Sequence, residues 1–240
     1  MANLKAITLK SSSVAAGHEM TVYPVLITDG ESAVLVDSSY PGHFEILKNE
    51  IEKHIDINKL KALVITHHDF DHIGTAKEFK NLLGDNLKIY ATDVEAEYIS
   101  GAKMPLKLQK LGANKENLDE GTLGFYNMLS ENFPKLYINV DETFKAGDVL
   151  PLFDGIQTID TPGHTLGHIC LYIKEDKSLI TGDTLAIEDG KLSRINDFYN
   201  YDVEQAKESI KKLADFDIEL VRCYHGGDFV GKLNMEELTK

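Results

Sequence analysis

The sequence predicts an α/β fold in which two β-sheets pack against each other and helices cover the outside. Three observations indicate this architecture. Strand-like segments dominate both halves of the chain, a helical segment follows the strands in each half, and 42% of the 240 residues are hydrophobic, which is enough for one large core. We therefore expect one domain over residues 1–240, with a helical insertion at about 100–135.

A hairpin and a helix are predicted near the amino terminus. Residues 20–28 and 32–37 are apolar and rich in β-branched side chains, and the Asp-Gly-Glu sequence at 29–31 is typical of a hairpin turn. Residues 44–55 then change to helical spacing, with their large apolar side chains on one face.

A buried strand, a second helix and a further strand follow. Residues 60–66 form a continuous apolar run, which predicts a strand buried on both faces. A helix is expected from about His72 to Leu83, and Gly84 suits the left-handed conformation that ends many helices. Residues 87–92 are the next predicted strand.

The pattern changes between residues 100 and 134. Glycines and prolines separate short apolar pieces in this segment, which favours a pair of short helices over sheet. Such an insertion either covers a pocket or caps a sheet edge, and the sequence leaves both alternatives open.

The second half of the chain returns to strands. The pattern predicts strands over residues 148–153, 155–160, 168–173 and 178–182. Asp202 is expected to begin a helix, with Gln205 three positions on as its capping partner. Residues 218–224 form the last predicted strand.

The charge balance restricts the partners. Asp and Glu outnumber Lys and Arg by 39 to 25, which gives a net charge of −14. Nucleic acids and anionic membranes are bound through basic surfaces, so we expect a small-molecule substrate and neither of those partners. Two isolated cysteines in apolar segments, and no signal-like or membrane-spanning run, predict a cytoplasmic protein.

The densest group of chemically active residues follows a predicted buried strand. His67, His68, Asp69, Asp71 and His72 lie within six positions. Imidazole and carboxylate groups suit divalent first-row metals. Without a cation, the repulsion and desolvation of five such groups would be costly, whereas a helix cap would explain Asp71 alone. The loop therefore predicts a metal site.

Three later strand ends each carry one further metal-capable residue. His164, Asp183 and His225 each follow a predicted strand and stand next to a glycine, which permits close backbone approach. Alone, each is more often an ordinary turn residue. Four metal-capable strand ends in one chain together predict a metal centre.

These motifs, in this order, resemble those of the metallo-β-lactamase fold superfamily. That family has an H-x-H-x-D-H loop, then Gly-His, then Asp after a small residue, and then a final His. The TPGHTLGH sequence at 161–168 is close to the family's usual TPGHTPGH, and the resemblance covers nearly the whole chain. It implies a four-layer αββα sandwich and a metal-dependent hydrolase.

The resemblance also implies two groups of ligands that share one bridging carboxylate. By position these are His67, Asp69 and His164 for the first metal, Asp71, His72 and His225 for the second, and Asp183 for both. Asp69 stands where the family usually has its second histidine. That carboxylate favours iron or manganese more than usual, but the hydrolytic pattern keeps zinc as the expected metal. His68 is an alternative ligand, although strand alternation should point it away.

The expected activity is hydrolysis, with two divalent ions as cofactor. A hydroxide bridging the two ions would attack an ester, lactone, thioester or phosphoester. Asp71 would orient that hydroxide and deliver a proton to the leaving group. The alternative, prompted by Asp69, is a di-iron oxidoreductase of the flavodiiron type without its flavin domain. A third hypothesis is a non-catalytic metal sensor.

Four more residues are candidates for supporting roles. Asp37 ends a strand that the family places beneath the site, and His168 is a candidate to orient a ligand. Tyr199 and Tyr201 follow Asp183 along the chain and could reach a substrate, although loop tyrosines are more often packing residues.

Overall fold

The structure, a computed structural model, describes residues 4–15, 17–153 and 155–240. The strands in these ranges are β1 (Lys5–Thr8), β2 (Ser11–Ala15), β3 (His18–Val22), β4 (Val25–Thr28), β5 (Ala33–Val36), β6 (Leu60–Val64), β7 (Lys88–Thr92), β8 (Glu142–Phe144), β9 (Val149–Leu150), β10 (Ile156–Asp160), β11 (Ile169–Ile173), β12 (Ser178–Ile180), β13 (Leu185–Glu188), β14 (Lys191–Arg194), β15 (Leu220–Cys223) and β16 (Gly227–Val230). The helices are α1 (Phe44–Glu52), α2 (Ala76–Leu83), α3 (Asp93–Ile99), α4 (Leu106–Gly112), α5 (Glu120–Leu136), α6 (Val203–Lys211) and α7 (Met235–Leu238).

Two six-stranded sheets form the centre of the fold. The first has the strand order β1-β4-β5-β6-β7-β8, and the second has the order β16-β15-β12-β11-β10-β9. The predicted hairpin joins β4 and β5, and the strands from β5 to β8 are parallel. Because parallel strands end at the same edge of a sheet, the loops that follow β5, β6 and β7 lie side by side.

The buried side chains form three layers of core. Val64 of β6 and Leu171 of β11 belong to the layer between the two sheets. Leu63, next to Val64, faces the other side of the first sheet and shares a core with Phe79 of α2. Ile210 of α6 belongs to a third core, which covers the second sheet. The layers are therefore helix, sheet, sheet and helix, which confirms the predicted α/β sandwich.

Several predicted elements have different bounds in the structure; the strand expected over residues 148–153, for example, is reduced to β9. Two of the differences have a clear physical cause. The strand expected over residues 20–28 is divided into β3 and β4, because Pro24 has no N–H with which to continue a ladder. The helix expected from His72 begins at Ala76 instead. The His72 carbonyl accepts hydrogen bonds from Ser38 N at 2.7 Å and Ser38 Oγ at 2.9 Å, which removes it from any helical ladder.

Helices α4 and α5 occupy most of the segment between residues 100 and 135. The 17-residue α5 buries Leu129 and Phe133 in the core of the first sheet. The backbone N–H of Leu106, the first residue of α4, donates to His68 Nε2 at 3.2 Å. Across the ranges that the structure describes, no helix combines the length and apolar character needed to cross a bilayer.

A stabilising substitution is expected in the middle of α5. Gly124 is exposed and helical, and a Cβ built on it would meet nothing within 4 Å. Gly124→Ala should therefore raise the free energy of unfolding by about 0.5–1 kcal/mol, because alanine loses less backbone entropy in a helix. Chemical denaturation measures this change, and an unchanged or lower midpoint would contradict it.

Candidate metal centre

The predicted ligands leave strand ends that lie at common edges of the two sheets. The loop from His67 to His72 follows β6 in the first sheet. In the second sheet β10, β12 and β15 run in one direction, since β10 and β12 are both antiparallel to β11 and β12 is parallel to β15. His164, Asp183 and His225 follow these three strands, so the topology delivers them to one edge.

The first group consists of His67, Asp69, His164 and Asp183, all of them buried. Asp69 Oδ2 lies 3.3 Å from His67 Nε2 and 2.8 Å from His164 Nε2. Asp183 Oδ2 lies 3.4 Å from His164 Nε2 and 4.0 Å from His67 Nε2. Two imidazoles and two carboxylates therefore surround one small space.

The second group consists of Asp71, His72 and His225, with Asp183 beside them. Asp71 Oδ2 lies 3.4 Å from His225 Nε2 and 3.9 Å from His72 Nε2. Asp183 Oδ1 lies 3.2 Å from His72 Nε2 and 3.4 Å from His225 Nε2. This group is more open than the first, because Asp71 and His225 are only partly buried.

Asp183 joins the two groups through its two carboxylate oxygens. Oδ2 faces the first group and Oδ1 faces the second, at the distances given above. A bridging carboxylate between two cations needs this arrangement. All seven residues that the sequence singles out thus converge, while their binding of metal stays a prediction.

Several buried polar atoms of the centre fit a cation. Among the described residues, His67 Nε2, His72 Nε2 and Asp183 Oδ1 are buried and have no hydrogen-bond partner. Burial, reinforced by the charge of His72, lowers the pKa of His67 to about 4, so its ring is neutral at pH 7. Neutral imidazole is the form that binds metals, and a cation would satisfy these atoms together.

Both central carboxylates are held in their ionised form. Burial alone would raise the pKa of Asp183, but the charges of His225 and His72 hold it well below its ordinary value. Burial would likewise raise the pKa of Asp69, but the Lys107 ammonium and the hydrogen bond from His164 keep it well below its ordinary value. Ionised carboxylates are the form that ligates metals.

Asp37 has the supporting role proposed for it from the sequence. It is buried and adopts a positive φ of 60°. Its Oδ1 accepts a hydrogen bond from Thr66 N at 2.8 Å, and its Oδ2 accepts one from Thr66 Oγ1 at 2.8 Å. The same Oδ2 lies 2.9 Å from His72 Nδ1, so the negative charge of Asp37 faces the ring nitrogen that points away from the centre.

His168 also supports the centre and does not enter it. Its Nε2 accepts a hydrogen bond from the backbone N–H of Asp183 at 3.0 Å, and its Nδ1 lies 2.9 Å from Thr161 Oγ1. Burial and the nearby His67 and His164 hold its pKa well below the ordinary value, so the ring stays neutral. His168 therefore fixes the backbone from which Asp183 projects.

His68 points away from the metal centre and pairs with a residue that sequence reasoning missed. Fully buried Glu95, on α3, accepts hydrogen bonds at Oε2 from His68 N at 2.9 Å and His68 Nδ1 at 2.5 Å. Its Oε1 accepts from Thr165 Oγ1 at 2.7 Å and Gly167 N at 2.8 Å. Glu95 therefore joins the loop of His67 to the loop of His164.

Tyr224 and Lys107 are two further neighbours of the centre that the sequence did not reveal. The hydroxyl of Tyr224 donates to the Asp71 carbonyl at 2.6 Å and accepts from Ser39 N at 3.0 Å. The Lys107 ammonium, on α4, donates to Asp69 Oδ2. Lys107 belongs to the segment between residues 100 and 135, where the sequence pattern is weakest.

A cleft opens beside the first group of ligands. It encloses a volume of about 100 Å³, and Asp69 and His164 are among the residues that line it. Helix α4 forms one wall, and the turn that contains Tyr199 and Tyr201 forms the other. Both tyrosines are about two-fifths exposed, which places them at the cleft and outside the core.

Comparisons with known proteins agree with this geometry. The model of the metallo-β-lactamase superfamily matches residues 19–225. The probable metallo-hydrolase YflN of Bacillus subtilis is 29% identical over 90% of this chain and 83% of its own length. The hydroxyacylglutathione hydrolase GloC of Haemophilus influenzae is 30% identical over 76% of this chain and 74% of its own length.

A solved structure shows the same fold. A metallo-β-lactamase from Pontibacter korlensis superposes with a TM-score of 0.66 and covers 98% of this chain and 92% of its own. Its sequence identity is 16%, so this likeness concerns the fold. It agrees with the four-layer αββα sandwich that the resemblance of the motifs implies.

Proposed function

This chain belongs to the metallo-β-lactamase superfamily, and we propose that it is a hydrolase that binds two divalent metal ions and cleaves acyl thioesters. The observation that carries the proposal is the position of Asp183, whose two carboxylate oxygens face the two separate groups of ligands. A single-metal site would have no use for a buried carboxylate turned to both sides. Zinc is the expected metal because the order of the motifs is that of a hydrolytic family, and imidazole and carboxylate donors both bind zinc.

The choice of thioesters rests on the relatives. YflN is named a probable metallo-hydrolase, and GloC is named a hydroxyacylglutathione hydrolase, which cleaves an acyl–sulfur bond. The cleft beside Asp69 and His164 is lined in part by the apolar side chains of Leu111 and Phe125, which suit the apolar part of a thioester. Esters and lactones, which present the same carbonyl chemistry, are the next classes to assay.

Different residues of the chain would bind the metals, orient the attacking water and hold the ligands in place. His67, Asp69 and His164 would hold one ion and Asp71, His72 and His225 the other, with Asp183 between them. Bound ions would lower the pKa of a water molecule and polarise the substrate carbonyl. Of the three predicted carboxylate ligands Asp71 is the most exposed, with 15% of its side chain accessible, so it is the one best placed to orient the attacking water. Glu95, His168 and Asp37 would keep the ligands in place.

The proposed reaction consumes one water and one thioester. The water oxygen bonds to the acyl carbon, and the carbon–sulfur bond breaks with its electron pair on sulfur. Asp71 accepts one proton of the water and passes it to the leaving thiolate. The products are a carboxylic acid and a thiol.

Removal and return of metal tests the proposal. The purified protein is stripped with a chelator and assayed against thioester, ester, lactone and phosphodiester substrates before and after addition of zinc, manganese or ferrous iron. We expect the stripped protein to be inactive and zinc to restore thioester hydrolysis at about two ions per chain.

Two outcomes would contradict the proposal. Hydrolysis that persists unchanged after removal of the metal would rule out a metal-dependent reaction. Tight binding of iron with oxygen consumption and no hydrolysis would favour the di-iron oxidoreductase. Elemental analysis of the protein as purified separates these cases, because it identifies the metal independently of any assay.

A further inference from the structure

We infer that the cleft binds an anionic group of the substrate through Lys107 and Asn200. The group is a carboxylate or a phosphate on the thiol side of the molecule, held a short distance from the reacting carbonyl. This inference rests on the proposed hydrolysis, and it adds the chemical class of the substrate and the residues that select it.

The first observation is local positive charge in an acidic protein. The chain carries a net charge of −14, yet Lys107 and Lys110 both line this cleft, one helical turn apart on α4. Among the residues that the structure describes, Asp69 is the only acidic side chain in the lining. Once Asp69 ligates a metal, its charge no longer balances the lysines, and the cleft attracts anions.

The second observation is a buried side-chain amide without hydrogen-bond partners among the described residues. Asn200 is 1% exposed, and neither its Nδ2 nor its Oδ1 has a hydrogen-bond partner among the described residues. Asn200 lines the cleft and also a smaller space beside His164 and Asp183. Buried amides without partners are rare because they lose their hydration, so this one points to a ligand.

The Lys107 ammonium can change its hydrogen-bond acceptor from Asp69 to an anionic group of the substrate. It now donates to Asp69 Oδ2, the same oxygen that lies closest to His67 and His164. That oxygen would be taken up by a metal in the first group. The ammonium sits on a flexible four-carbon stem with three donors, so it can turn into the cleft towards an anion.

Neighbouring residues hold this arrangement in position. The Lys110 ammonium donates to the Asn200 carbonyl at 2.7 Å and so ties α4 to the opposite wall. The Lys107 ammonium lies 5.3 Å from the centre of the Tyr199 ring. Leu111 and Phe125 provide apolar surface in the same cleft. The matching ligand is therefore amphipathic, with an apolar part and one anionic end.

Three thioesters of one hydroxy acid test the inference. They carry the same acyl group on glutathione, which bears carboxylates, on coenzyme A, which bears phosphates, or on N-acetylcysteamine, which is neutral. We expect Lys107→Met to lower kcat/KM about 10- to 100-fold for the preferred anionic thioester, the effect of losing one charge-assisted hydrogen bond. The neutral thioester should change less than about threefold, and Lys107→Arg should retain most of the preference.

Lys103→Met is the matched control. Lys103 precedes α4, is exposed, and pairs with Glu97 outside the cleft, so its substitution removes the same charge without touching the cleft. It should leave the rates on all three thioesters unchanged. Asn200→Leu should weaken the anionic thioester more than the neutral one, as Lys107→Met does. Zinc content is measured in every variant, and it should equal that of the parent protein.

A binding measurement keeps the inference independent of turnover. S-hexylglutathione, a thioether that cannot be hydrolysed in this way, is titrated calorimetrically into the zinc-loaded protein with S-hexyl-N-acetylcysteamine as its neutral counterpart. The inference is overturned if Lys107→Met weakens both compounds equally, weakens neither, or acts only through loss of zinc. A different outcome separates the two proposals. If the parent protein hydrolyses no thioester, and Lys107→Met nevertheless weakens binding of the anionic thioether alone, the proposed function fails while the anion site stands.

Discussion

Asp183→Asn should lower kcat/KM by at least about 1,000-fold, because asparagine cannot offer two anionic oxygens to two cations. The loss arises at both groups at once, since Asp183 Oδ2 faces His164 and Asp183 Oδ1 faces His72. Zinc retained after gel filtration should fall from about two ions per chain to one or none. The circular dichroism spectrum should match that of the parent protein, because the substitution keeps the side-chain volume.

Asp189→Asn is the matched control for this variant. Asp189 lies in the exposed turn between β13 and β14, where its φ of 49° suits asparagine equally well. It makes the same change of charge six positions along the chain, and both activity and zinc content should stay at the parent level. Parent-level activity in Asp189→Asn and in Asp183→Asn alike would exclude a bridging role for Asp183.

Glu95→Gln should lower both stability and activity, although Glu95 belongs to neither group of ligands. The neutral side chain cannot accept all four hydrogen bonds that the Glu95 carboxylate receives. Loss of one hydrogen bond to a buried charged group costs about 1.5–3 kcal/mol of unfolding free energy. We also expect a 10- to 100-fold lower kcat/KM, roughly the effect of losing an outer support of a metal centre.

Glu97→Gln separates this effect from a general effect on α3. Glu97 lies two positions on in the same helix and forms an exposed ion pair with Lys103. Exposed pairs contribute about 0–1 kcal/mol, so the melting temperature and the activity should change little. Equal melting temperatures for Glu95→Gln and the parent protein would show that the loops of His67 and His164 hold their places without Glu95.

Much of the candidate site could be predicted because its residues stand at strand ends. A buried apolar strand followed at once by His67, Asp69, Asp71 and His72 is visible in the sequence, since apolar runs and clustered ionisable groups are local patterns. The convergence of His164, Asp183 and His225 on that loop depends on which strands are neighbours. Local patterns in one sequence do not show which strands are neighbours. That information came from the resemblance of the motif order to that of the family.

The residues that the sequence analysis did not identify act through contacts with residues far away in the sequence. Glu95 stands three positions after Thr92, whose hydroxyl caps α3 by accepting from the Glu95 N–H at 3.2 Å. That spacing predicts the start of a helix and nothing about a contact with His68. Lys107 and Asn200 reach the cleft only through the packing of α4 against a turn nearly a hundred positions later. No local pattern marks such contacts.

The predicted ends of helices and strands were likewise correct only where local signals determine them. The sequence predicts the β4–β5 hairpin and the helix capped by Asp202 correctly, because turn and capping signals are local. It places the start of α2 four residues early, at His72, because the competing hydrogen bonds from Ser38 come from a distant strand end. The short strands β13 and β14 were not predicted, because their residues show no recognised strand pattern. Ala186 of β13 forms a β-bridge with His225, so this pair helps to place a predicted ligand.

Crystals of the zinc-loaded protein, measured with anomalous diffraction at the zinc edge, test the central claim most directly. Two anomalous peaks are expected, one enclosed by His67, Asp69, His164 and Asp183 and the other by Asp71, His72, His225 and Asp183. A crystal grown with zinc that shows no peak among these seven side chains, or peaks only elsewhere on the molecule, would contradict the claim.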